Sequence, residues 1–277
     1  MSAAPVMPAP PPVPMRWEEG RLVDPFGSRL LVGVLGCEKY RERADGVRQS
    51  WMRLVPATTQ VLFLHGRPDR PEGIEGDVLY LDVPETYEDL PRKVNRFLRY
   101  AVEHLDFDHL FKTDDDTYLD LPRFLGFDRG QADYIGQFRE HPVGERGRTW
   151  HYGKCTDPAR EVPWEGEFVC PWATGGGYFL SRRAAERAAE RTEATCRGHL
   201  FEDMMVGEAL TMDPELRVLM TQFRAMGVIN PLLPKDMLHV QDMVLEREAL
   251  TQRLAACEAE LGALRAHSGS GAGPADP

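Results

Sequence analysis

Apolar and polar residues follow two different spacings along the first half of the chain. Short apolar runs at 29–36, 60–64 and 77–83 predict buried strands. The stretches 41–54 and 87–104 instead place apolar residues three and four positions apart, which predicts helices. Strands that alternate with helices are typical of an α/β domain with a parallel sheet.

The pattern becomes less regular in the second half. Residues 134–138 predict a short strand, whereas 150–178 are rich in Trp, Pro, Gly and Phe with weak periodicity, which predicts a loop-rich binding face. Residues 181–191 and 201–210 predict two further helices. We therefore expect one α/β domain over residues 28–240, with a mostly parallel central sheet flanked by helices.

The two ends of the chain have their own patterns. Residues 1–15 are rich in Pro and Ala and predict a disordered leader, and residues 267–277 predict a disordered tail. Residues 241–266 predict an amphipathic C-terminal helix whose apolar positions fall near heptad spacing. This helix favours either a homodimer through a short coiled coil or packing on its own domain, and the pattern leaves both open.

Charge and cysteine content narrow the class of protein. A net charge of -11 argues against binding to nucleic acid or to an anionic membrane. No apolar run approaches the roughly 20 residues that cross a bilayer, and the N-terminus lacks a signal-peptide pattern, so we expect a cytoplasmic protein. The five scattered cysteines suit a reducing compartment. A Cys155–Cys170 disulfide, or a zinc site that adds Cys196 and His199, is disfavoured because paired C-x-x-C spacing is missing.

Three adjacent carboxylates, Asp114, Asp115 and Asp116, follow the apolar strand predicted at 106–112. Neighbouring carboxylates raise one another's pKa values unless a cation or several donors offset their charge. Open α/β sheets bind ligands at the carboxyl ends of their strands. The acids therefore indicate a divalent metal site, although from these residues alone an acidic turn exposed to water fits equally well.

Six segments of the chain, taken in order, resemble the motifs of one enzyme family. They are Arg-Gln-Ser-Trp at 48–51, Val-Leu-Phe-Leu-His-Gly at 61–66, Tyr-Glu-Asp-Leu-Pro-Arg-Lys at 87–93, the triple aspartate, Thr-Gly-Gly-Gly-Tyr-Phe-Leu-Ser at 174–181 and Phe-Glu-Asp-Met-Met-Val-Gly at 201–207. Together they resemble the β-1,3-galactosyltransferase and Fringe group of glycosyltransferases. Ser50, Asp89 and Met204 depart from the family's usual Thr, Asn and Val. Animal members are membrane-anchored, and the lack of an anchor pattern here suggests a soluble bacterial relative.

The resemblance implies a GT-A-like domain and a UDP-sugar-dependent hexosyltransferase. It implies an inverting transfer of galactose or N-acetylglucosamine to the hydroxyl of a glycan or other acceptor, with a β-1,3 linkage. In the family, an Asp-x-Asp (DXD) pattern holds Mn²⁺ or Mg²⁺ against the diphosphate. This carries over to Asp116 as the first metal ligand, Asp114 as a ligand that also contacts the nucleotide, Asp115 as a residue that orients the sugar, and His239 as a late ligand. For His239, an exposed or packed side chain is an equal alternative.

The resemblance and the residue types together predict the remaining roles. Asp203 corresponds to the base that takes the acceptor proton, although Glu202 and Asp203 also suit the start of a helix without any catalytic role. Arg48 and Lys93 correspond to donor-binding cations, or they pair with carboxylates of the site. The residue types predict that Trp172 and Tyr178 stack on a sugar ring, with Glu202 as a further sugar or acceptor contact. They also predict that Gly175, Gly176 and Gly177 either let the backbone approach the sugar closely or make a bulge at the start of a strand.

Two rival functions are compatible with parts of the pattern. A magnesium-dependent phosphatase of haloacid-dehalogenase type also places Asp-x-Asp after a strand, but its signature requires Thr or Val where this chain has Tyr118. A noncatalytic protein that binds sugar or nucleotide on the same fold is the other alternative. The presence of both Asp116 and Asp203 argues against it.

Overall fold

The computed structural model describes residues 16–18 and 21–269 of the chain. The predicted leader at 1–15 and the last part of the predicted tail, 270–277, lie outside the described residues. Residues 267–269, which the sequence assigned to the tail, belong instead to the last helix.

The strands and helices of the described residues alternate through the first half of the chain. The strands are β1 (Trp17–Glu18), β2 (Arg21–Leu22), β3 (Leu30–Leu35), β4 (Thr59–Gly66), β5 (Gly73–Glu75), β6 (Val78–Leu81), β7 (His109–Asp114), β8 (Tyr118–Leu119), β9 (Tyr134–Arg139), β10 (Trp172–Ser181), β11 (Val218–Met220) and β12 (Val228–Ile229). The α-helices are α1 (Arg41–Gln49), α2 (Leu90–His104), α3 (Leu121–Gly126), α4 (Arg182–Thr192), α5 (Glu202–Thr211) and α6 (Pro234–Gly269). Short 3-10 turns occupy Glu38–Tyr40, Trp51–Leu54, Arg129–Gln131 and Pro158–Arg160.

Eight strands form the central sheet in the order β11-β9-β10-β7-β3-β4-β6-β5. Four of the seven pairings are parallel, namely β9 with β11, β3 with β7, β3 with β4 and β4 with β6. Strand β10 runs antiparallel to both of its neighbours, and β5 runs antiparallel to β6. Helices α2, α4 and α5 cover one face of the sheet, and α1, α3 and α6 cover the other. The predicted GT-A-like fold class, an α/β domain with a mostly parallel sheet and a C-terminal helix, is confirmed.

Strand β10 is the largest difference from the sequence prediction, which placed a loop-rich region there. The strand lies between β7 and β9, and its register against β9 shifts between Ala173 and Tyr178. The three glycines fall within this irregularity, which agrees with the tendency of strand glycines to mark bulges. The strand has ten residues, but the bulge and the glycines interrupt the alternation of apolar and polar side chains, so the sequence did not predict it.

Helix α6 begins at Pro234, seven residues before the predicted start at 241, and the predicted domain boundary at 240 falls inside it. Proline is well tolerated in the first turn of a helix, where its missing N–H has no intrahelical partner to lose. The first turns bury Met237 and Val244 against the core, whereas Leu250, Leu254 and Leu261 are exposed. A homodimer through these exposed leucines stays a prediction. None of the helices in the described ranges has both the length and the apolar character needed to cross a bilayer.

Gly207 in α5 allows the helix to pack directly on β10. A Cβ at this position would lie 2.2 Å from Trp172 Cβ and 2.9 Å from Trp172 Cα, and neither atom belongs to a flexible side-chain end. We expect Gly207→Ala to lower the free energy of unfolding by about 1–3 kcal/mol, because overpacking outweighs the gain in helix propensity of about 1 kcal/mol. Urea unfolding of the purified variant measures this change.

Gly262 in α6 is the matched control for Gly207. It is also helical, but nothing lies within 4 Å of its added Cβ. Only the helix-propensity gain remains there, so Gly262→Ala should leave stability unchanged or slightly higher. If the two substitutions changed the free energy of unfolding equally, α5 and Trp172 would be able to move apart without loss of stability, and the prediction would be wrong.

Candidate active site

The three aspartates lie at the carboxyl end of β7, next to the ends of β3 and β10. Asp115 is buried, while Asp114 and Asp116 are partly exposed. Arg43 of α1 places its Nη1 3.1 Å from Asp115 Oδ1 and 4.0 Å from Asp116 Oδ2. Asn230 Nδ2 donates to Asp116 Oδ1 at 2.8 Å. An acidic turn exposed to water does not describe this arrangement.

The pKa values of these acids reflect burial first and the neighbouring charges second. Burial raises the pKa of Asp115 to about 6, although its hydrogen bond to Arg43 opposes the rise. Burial and the neighbouring carboxylate of Asp114 also raise the pKa of Asp116. Arg43 therefore offsets only part of the negative charge gathered at the end of the strand.

Lys112 connects the aspartates to helix α5. It lies two residues before Asp114 and therefore projects from the same face of β7. Its fully buried ammonium donates to Asp114 Oδ1 at 2.8 Å, to the Gly175 carbonyl oxygen at 2.9 Å and to Glu202 Oε1. Burial disfavours the charge, but Asp114 and Glu202 more than offset it and raise the pKa of Lys112. The three N–H donors of the ammonium thus have three acceptors.

Gly175 makes room for this ion cluster. A Cβ on Gly175 would lie 2.9 Å from Glu202 Oε1, 3.3 Å from Lys112 Nζ and 3.6 Å from Asp114 Oδ2. Any side chain here would therefore compete with the ammonium and its two carboxylates for the same space. The glycine lets the backbone of β10 approach the cluster closely.

Asp203 lies in the first turn of α5 and is held by the backbone on two sides. Its Oδ2 accepts from the Gly175 N–H at 3.1 Å, and its Oδ1 accepts from the Met204 N–H at 2.8 Å. Burial raises the pKa of Asp203, whereas the charge of Lys112 lowers it. The residue as a whole is partly exposed, although both of its carboxylate oxygens accept hydrogen bonds from the backbone.

Glu202, the neighbouring acid, is more deeply enclosed. Burial raises its pKa to about 7 even though Lys112 opposes the rise. Its Oε2 accepts from the Tyr178 hydroxyl at 3.3 Å, and its Oε1 accepts from Lys112. Both acids occupy the first turn of α5, which agrees with the alternative that they favour the start of a helix. Glu202 also accepts from Lys112, and Asp203 is linked to Lys112 through the backbone of Gly175.

The two predicted donor-binding cations pair with carboxylates that lie outside the aspartate triplet and the Glu202–Asp203 pair, and not with carboxylates of the site. Arg48 donates to Asp77 through Nε at 2.7 Å and through Nη2 at 2.9 Å. Lys93 is fully buried and donates to Glu85 and to the Gly36 carbonyl oxygen. A role for either cation in donor binding stays a prediction.

The predicted sugar-stacking rings are closed to a ligand in this structure. Trp172 is 1% exposed and stacks with Phe168 at a centroid distance of 5.2 Å, and Tyr178 is 0% exposed. Gly176 and Gly177 are also buried, which leaves only Gly175 of the three partly exposed. The stacking assignment for Trp172 and Tyr178 therefore does not fit, because protein atoms already cover both rings.

Within the part of the chain that the structure describes, His239 and the cysteines make no hydrogen bond to Lys112 or to the carboxylates around it. His239 is exposed in the second turn of α6. Cys155 and Cys170 are not bonded to each other. Among the described residues, no three His, Cys, Asp or Glu side chains converge to form a preformed metal site, either at the aspartates or at the cysteines.

The aspartates nevertheless suit a cation that arrives with its substrate. Mg²⁺ is commonly held by one or two carboxylates together with phosphate oxygens of a substrate, rather than by a complete cage of protein ligands. Asp114 and Asp116 are the two partly exposed acids of the triplet. The charge of Asp114 raises the pKa of Asp116, so a cation between them would relieve their repulsion. These two residues fit the chemistry of such a site.

Sequence reasoning missed three residues of the site. No role was predicted for Lys112, Asn230 or Arg43. The signal for Lys112 was its place two residues before Asp114 on the same strand face. Asn230 carried no comparable signal, because it reaches Asp116 across 114 positions of sequence.

Known proteins resemble this chain over the same region. The family model described as Galactosyltransferase matches residues 42–217, which include the aspartates and Asp203. UDP-GalNAc:beta-1,3-N-acetylgalactosaminyltransferase 2 of Danio rerio is 29% identical over 137 residues, which are 48% of this chain and 26% of that protein. Beta-1,3-galactosyltransferase 6 of Mus musculus is 27% identical over 231 residues, which are 76% of this chain and 67% of that protein. The chain thus spans about a quarter of the length of the first relative and two thirds of the second.

Solved structures also align with most of the chain. The galactosyltransferase LgtC, solved in complex with donor and acceptor sugar analogs, aligns at 12% identity and a TM-score of 0.37, covering 70% of this chain and 74% of that one. The glycosyltransferase GlyE of Streptococcus pneumoniae aligns at 11% identity and a TM-score of 0.36, covering 70% of this chain and 45% of that one. The match to the family model is a match of sequence, and it spans most of the domain. It includes the aspartates 114–116 and the pair Glu202 and Asp203. This chain belongs to the galactosyltransferase family.

Proposed function

We propose that the protein is a metal-dependent, inverting hexosyltransferase that uses a UDP-sugar and forms a β-1,3 linkage to an acceptor hydroxyl. The observation that supports this most directly is the cluster around Lys112, which joins Asp114 at the end of β7 to Glu202 and, through Gly175, to Asp203. An acid that helps to hold the diphosphate and an acid that activates the acceptor must lie close together, because the diphosphate and the acceptor hydroxyl meet at the same anomeric carbon. The cluster holds both within one hydrogen-bonded unit.

Asp203 acts as the general base in this proposal. Its carboxylate takes the proton of the acceptor hydroxyl while the hydroxyl oxygen attacks the anomeric carbon. The bond from that carbon to the diphosphate breaks on the opposite face, which inverts the configuration. A base is most effective when its pKa approaches the working pH, and burial moves the pKa of Asp203 in that direction.

Asp114 and Asp116 would hold Mn²⁺ or Mg²⁺ beside the diphosphate of the donor. When bound, the cation neutralises the negative charge that develops on the departing UDP. Asp115, fixed by Arg43, orients the donor sugar. His239 remains the predicted late ligand.

The names of the relatives bear on the choice of sugar. One is named for UDP-GalNAc and the other for galactose, and both names specify a β-1,3 linkage. These names support galactose or N-acetylgalactosamine as the donated sugar, and neither name mentions N-acetylglucosamine. A donor panel therefore includes UDP-galactose, UDP-N-acetylgalactosamine and UDP-N-acetylglucosamine.

Binding of the donor should depend on both manganese and Asp116. We expect one UDP-sugar with manganese to raise the thermal unfolding midpoint, because a ligand of the native state at 100 times its Kd adds about 2.7 kcal/mol of stability. Asp116→Ala should lose most of this rise. Differential scanning fluorimetry with and without manganese measures both effects.

Asp106→Ala is the control for Asp116→Ala, since Asp106 is an exposed acid before the opposite end of β7. It should leave the donor-dependent rise intact. An identical rise in Asp116→Ala and wild type would contradict the metal assignment. No rise with any UDP-sugar would contradict the proposed function as a whole.

A further inference from the structure

The loop between β9 and β10 exposes two aromatic side chains near the candidate base. Trp150 is 37% exposed and Tyr152 is 41% exposed. His151 between them is fully buried. Other rings of the same region, such as Phe168 at 1%, are enclosed in an aromatic cluster. Among the aromatic side chains described in this loop, these two are the exposed ones, and Trp150 also packs on the rings of Phe168 and Phe201.

This loop is held in place by several hydrogen bonds. His151 Nε2 lies 2.8 Å from the Arg160 carbonyl oxygen and 3.0 Å from that of Val162, which fixes the residue between the two exposed rings. The backbones of Arg148 and Trp164 exchange hydrogen bonds of 2.8 and 3.2 Å. Trp150 and Tyr152 thus extend from a structured part of the loop.

A second anchor ties the loop to the segment before α2. The Glu88 carboxylate accepts from the backbone N–H of Thr156 at 3.0 Å and of Asp157 at 2.9 Å. Lys154 places its Nζ 5.3 Å from the ring centroid of the adjacent Tyr87. The loop therefore bridges from β9 to the region in front of α2.

Contacts on two sides tie the segment that carries the exposed rings to the region of Asp203. The Trp150 ring lies 5.4 Å, centroid to centroid, from the ring of Phe201, which immediately precedes Glu202 and Asp203. On the other side, Tyr87, which contacts Lys154, has a pKa raised first by burial and then by the charge of Asp203. The segment from Trp150 to Lys154 thus passes close to the candidate base.

A pyranose ring has the chemistry that suits such a surface. One face of the ring presents C–H groups, and its rim carries hydroxyls. The electron-rich face of an aromatic ring attracts C–H groups, and Trp and Tyr offer this face with few rotatable bonds to immobilise. Sugar sites combine such faces with a few polar groups that fix orientation.

We propose that Trp150 and Tyr152 form the acceptor subsite and bind the pyranose ring whose hydroxyl Asp203 deprotonates. This inference rests on the proposed function and adds the class of acceptor to it. The donor side of the reaction is separate, because it depends on the aspartates at the end of β7.

Steady-state kinetics with simple acceptors test the inference. Methyl β-D-galactopyranoside, methyl N-acetyl-β-D-glucosaminide and methyl β-D-xyloside serve as probes, since none has an aromatic aglycone that would stack by itself. We expect Trp150→Ala and Tyr152→Ala each to raise the acceptor KM about tenfold while the donor KM stays within twofold. Trp150→Phe should retain most of the acceptor affinity.

Val143→Ala is the control, because Val143 is a 78% exposed apolar residue of the same loop. It should leave both KM values unchanged. Donor-dependent thermal stabilisation, measured on every variant, identifies any protein that has lost its fold. Trp150 packs on Phe201, so Tyr152→Ala decides the outcome if Trp150→Ala does not fold.

The outcomes separate the inference from the function on which it rests. Transfer by wild type with unchanged acceptor KM in both alanine variants would overturn the subsite. Donor binding without transfer to any methyl glycoside would overturn the pyranose assignment and leave the donor proposal intact. Absence of donor binding in wild type would instead contradict the proposed function.

Discussion

Asp203→Asn should reduce the rate of glycosyl transfer by about 10²–10⁴ while donor binding remains nearly unchanged. A general base contributes about this factor, and an amide cannot accept the acceptor proton at neutral pH. The amide oxygen can still accept from the Gly175 N–H, so the geometry of β10 and α5 is largely kept. Initial rates of UDP release at saturating donor and acceptor measure the loss. Thermal stabilisation by donor and manganese measures retained binding.

Asp213→Asn is the matched control for Asp203→Asn. Asp213 is a buried carboxylate just after the other end of α5, where it pairs with Arg191 at 2.8 Å. This substitution should lower stability without a change in kcat larger than about twofold, since it touches neither the aspartates nor the Lys112 cluster. A transfer rate in Asp203→Asn equal to that of wild type would rule out Asp203 as the base. Loss of donor binding in that variant would indicate structural damage instead.

The noncatalytic alternative makes the opposite prediction for the same pair of proteins. A binding protein on this fold would show manganese-dependent donor stabilisation in both wild type and Asp203→Asn, with no transfer by either. The geometry favours the enzyme. A pure binding site has no need for a carboxylate such as Asp203 that is linked through Gly175 and Lys112 to an acid proposed to bind the donor.

The first half of the fold was predictable because its elements are short, distinct and consecutive. The apolar run at 60–64 lies inside β4, and the helical spacing at 87–104 contains α2. In this region β3, β4, β6 and β7 pair in parallel with one another, so local pattern and tertiary structure agree.

The second half was less predictable because distant partners decide its structure. Strand β10 is stabilised by pairing with β7 and β9 on both sides, and its glycines weaken the alternation that would reveal it. The predicted stacking role of Trp172 failed for a related reason. Composition shows an aromatic residue near glycines, but only the packing of α5 on β10 shows that the ring is enclosed.

The candidate site shows the same division between local and distant information. Asp114, Asp115 and Asp116 were identified from their adjacency after a strand, and Asp203 from the family resemblance. The links among them depend on Lys112 and Glu202, which are 90 positions apart, and on the antiparallel β10 that brings Gly175 between them. No local pattern contains that information.

Lys112→Met should lower the free energy of unfolding by about 3–5 kcal/mol at pH 8, the largest stability effect that we expect in this protein. Removing one member of a buried ion pair leaves the other charge without compensation. Here Glu202 would remain buried with Asp114 nearby and no cation between them. Methionine is similar in length and apolar, so the substitution removes the ammonium with little change in volume. Urea unfolding at pH 5 and pH 8 measures the effect.

The loss should be smaller at pH 5, because Glu202 can then become neutral. The pKa of Glu202 is already about 7 with Lys112 present, and without that cation it rises further. A carboxyl whose pKa is higher in the folded than in the unfolded state binds its proton more tightly when folded. Its contribution to stability is therefore present at low pH and is lost as pH rises from about 4.5 through the folded pKa.

Two further variants separate the charge of Lys112 from its packing. Adding Glu202→Gln to Lys112→Met should recover much of the stability at pH 8, since a neutral amide replaces the uncompensated carboxylate. Lys93→Met is the matched control, because Lys93 is also fully buried but its partner Glu85 is partly exposed to water. That variant should lose similar stability at both pH values. If Lys112→Met behaves in the same way and the double variant shows no recovery, then Lys112 stabilises the site by packing alone, and the ion cluster is not what joins the aspartates to α5.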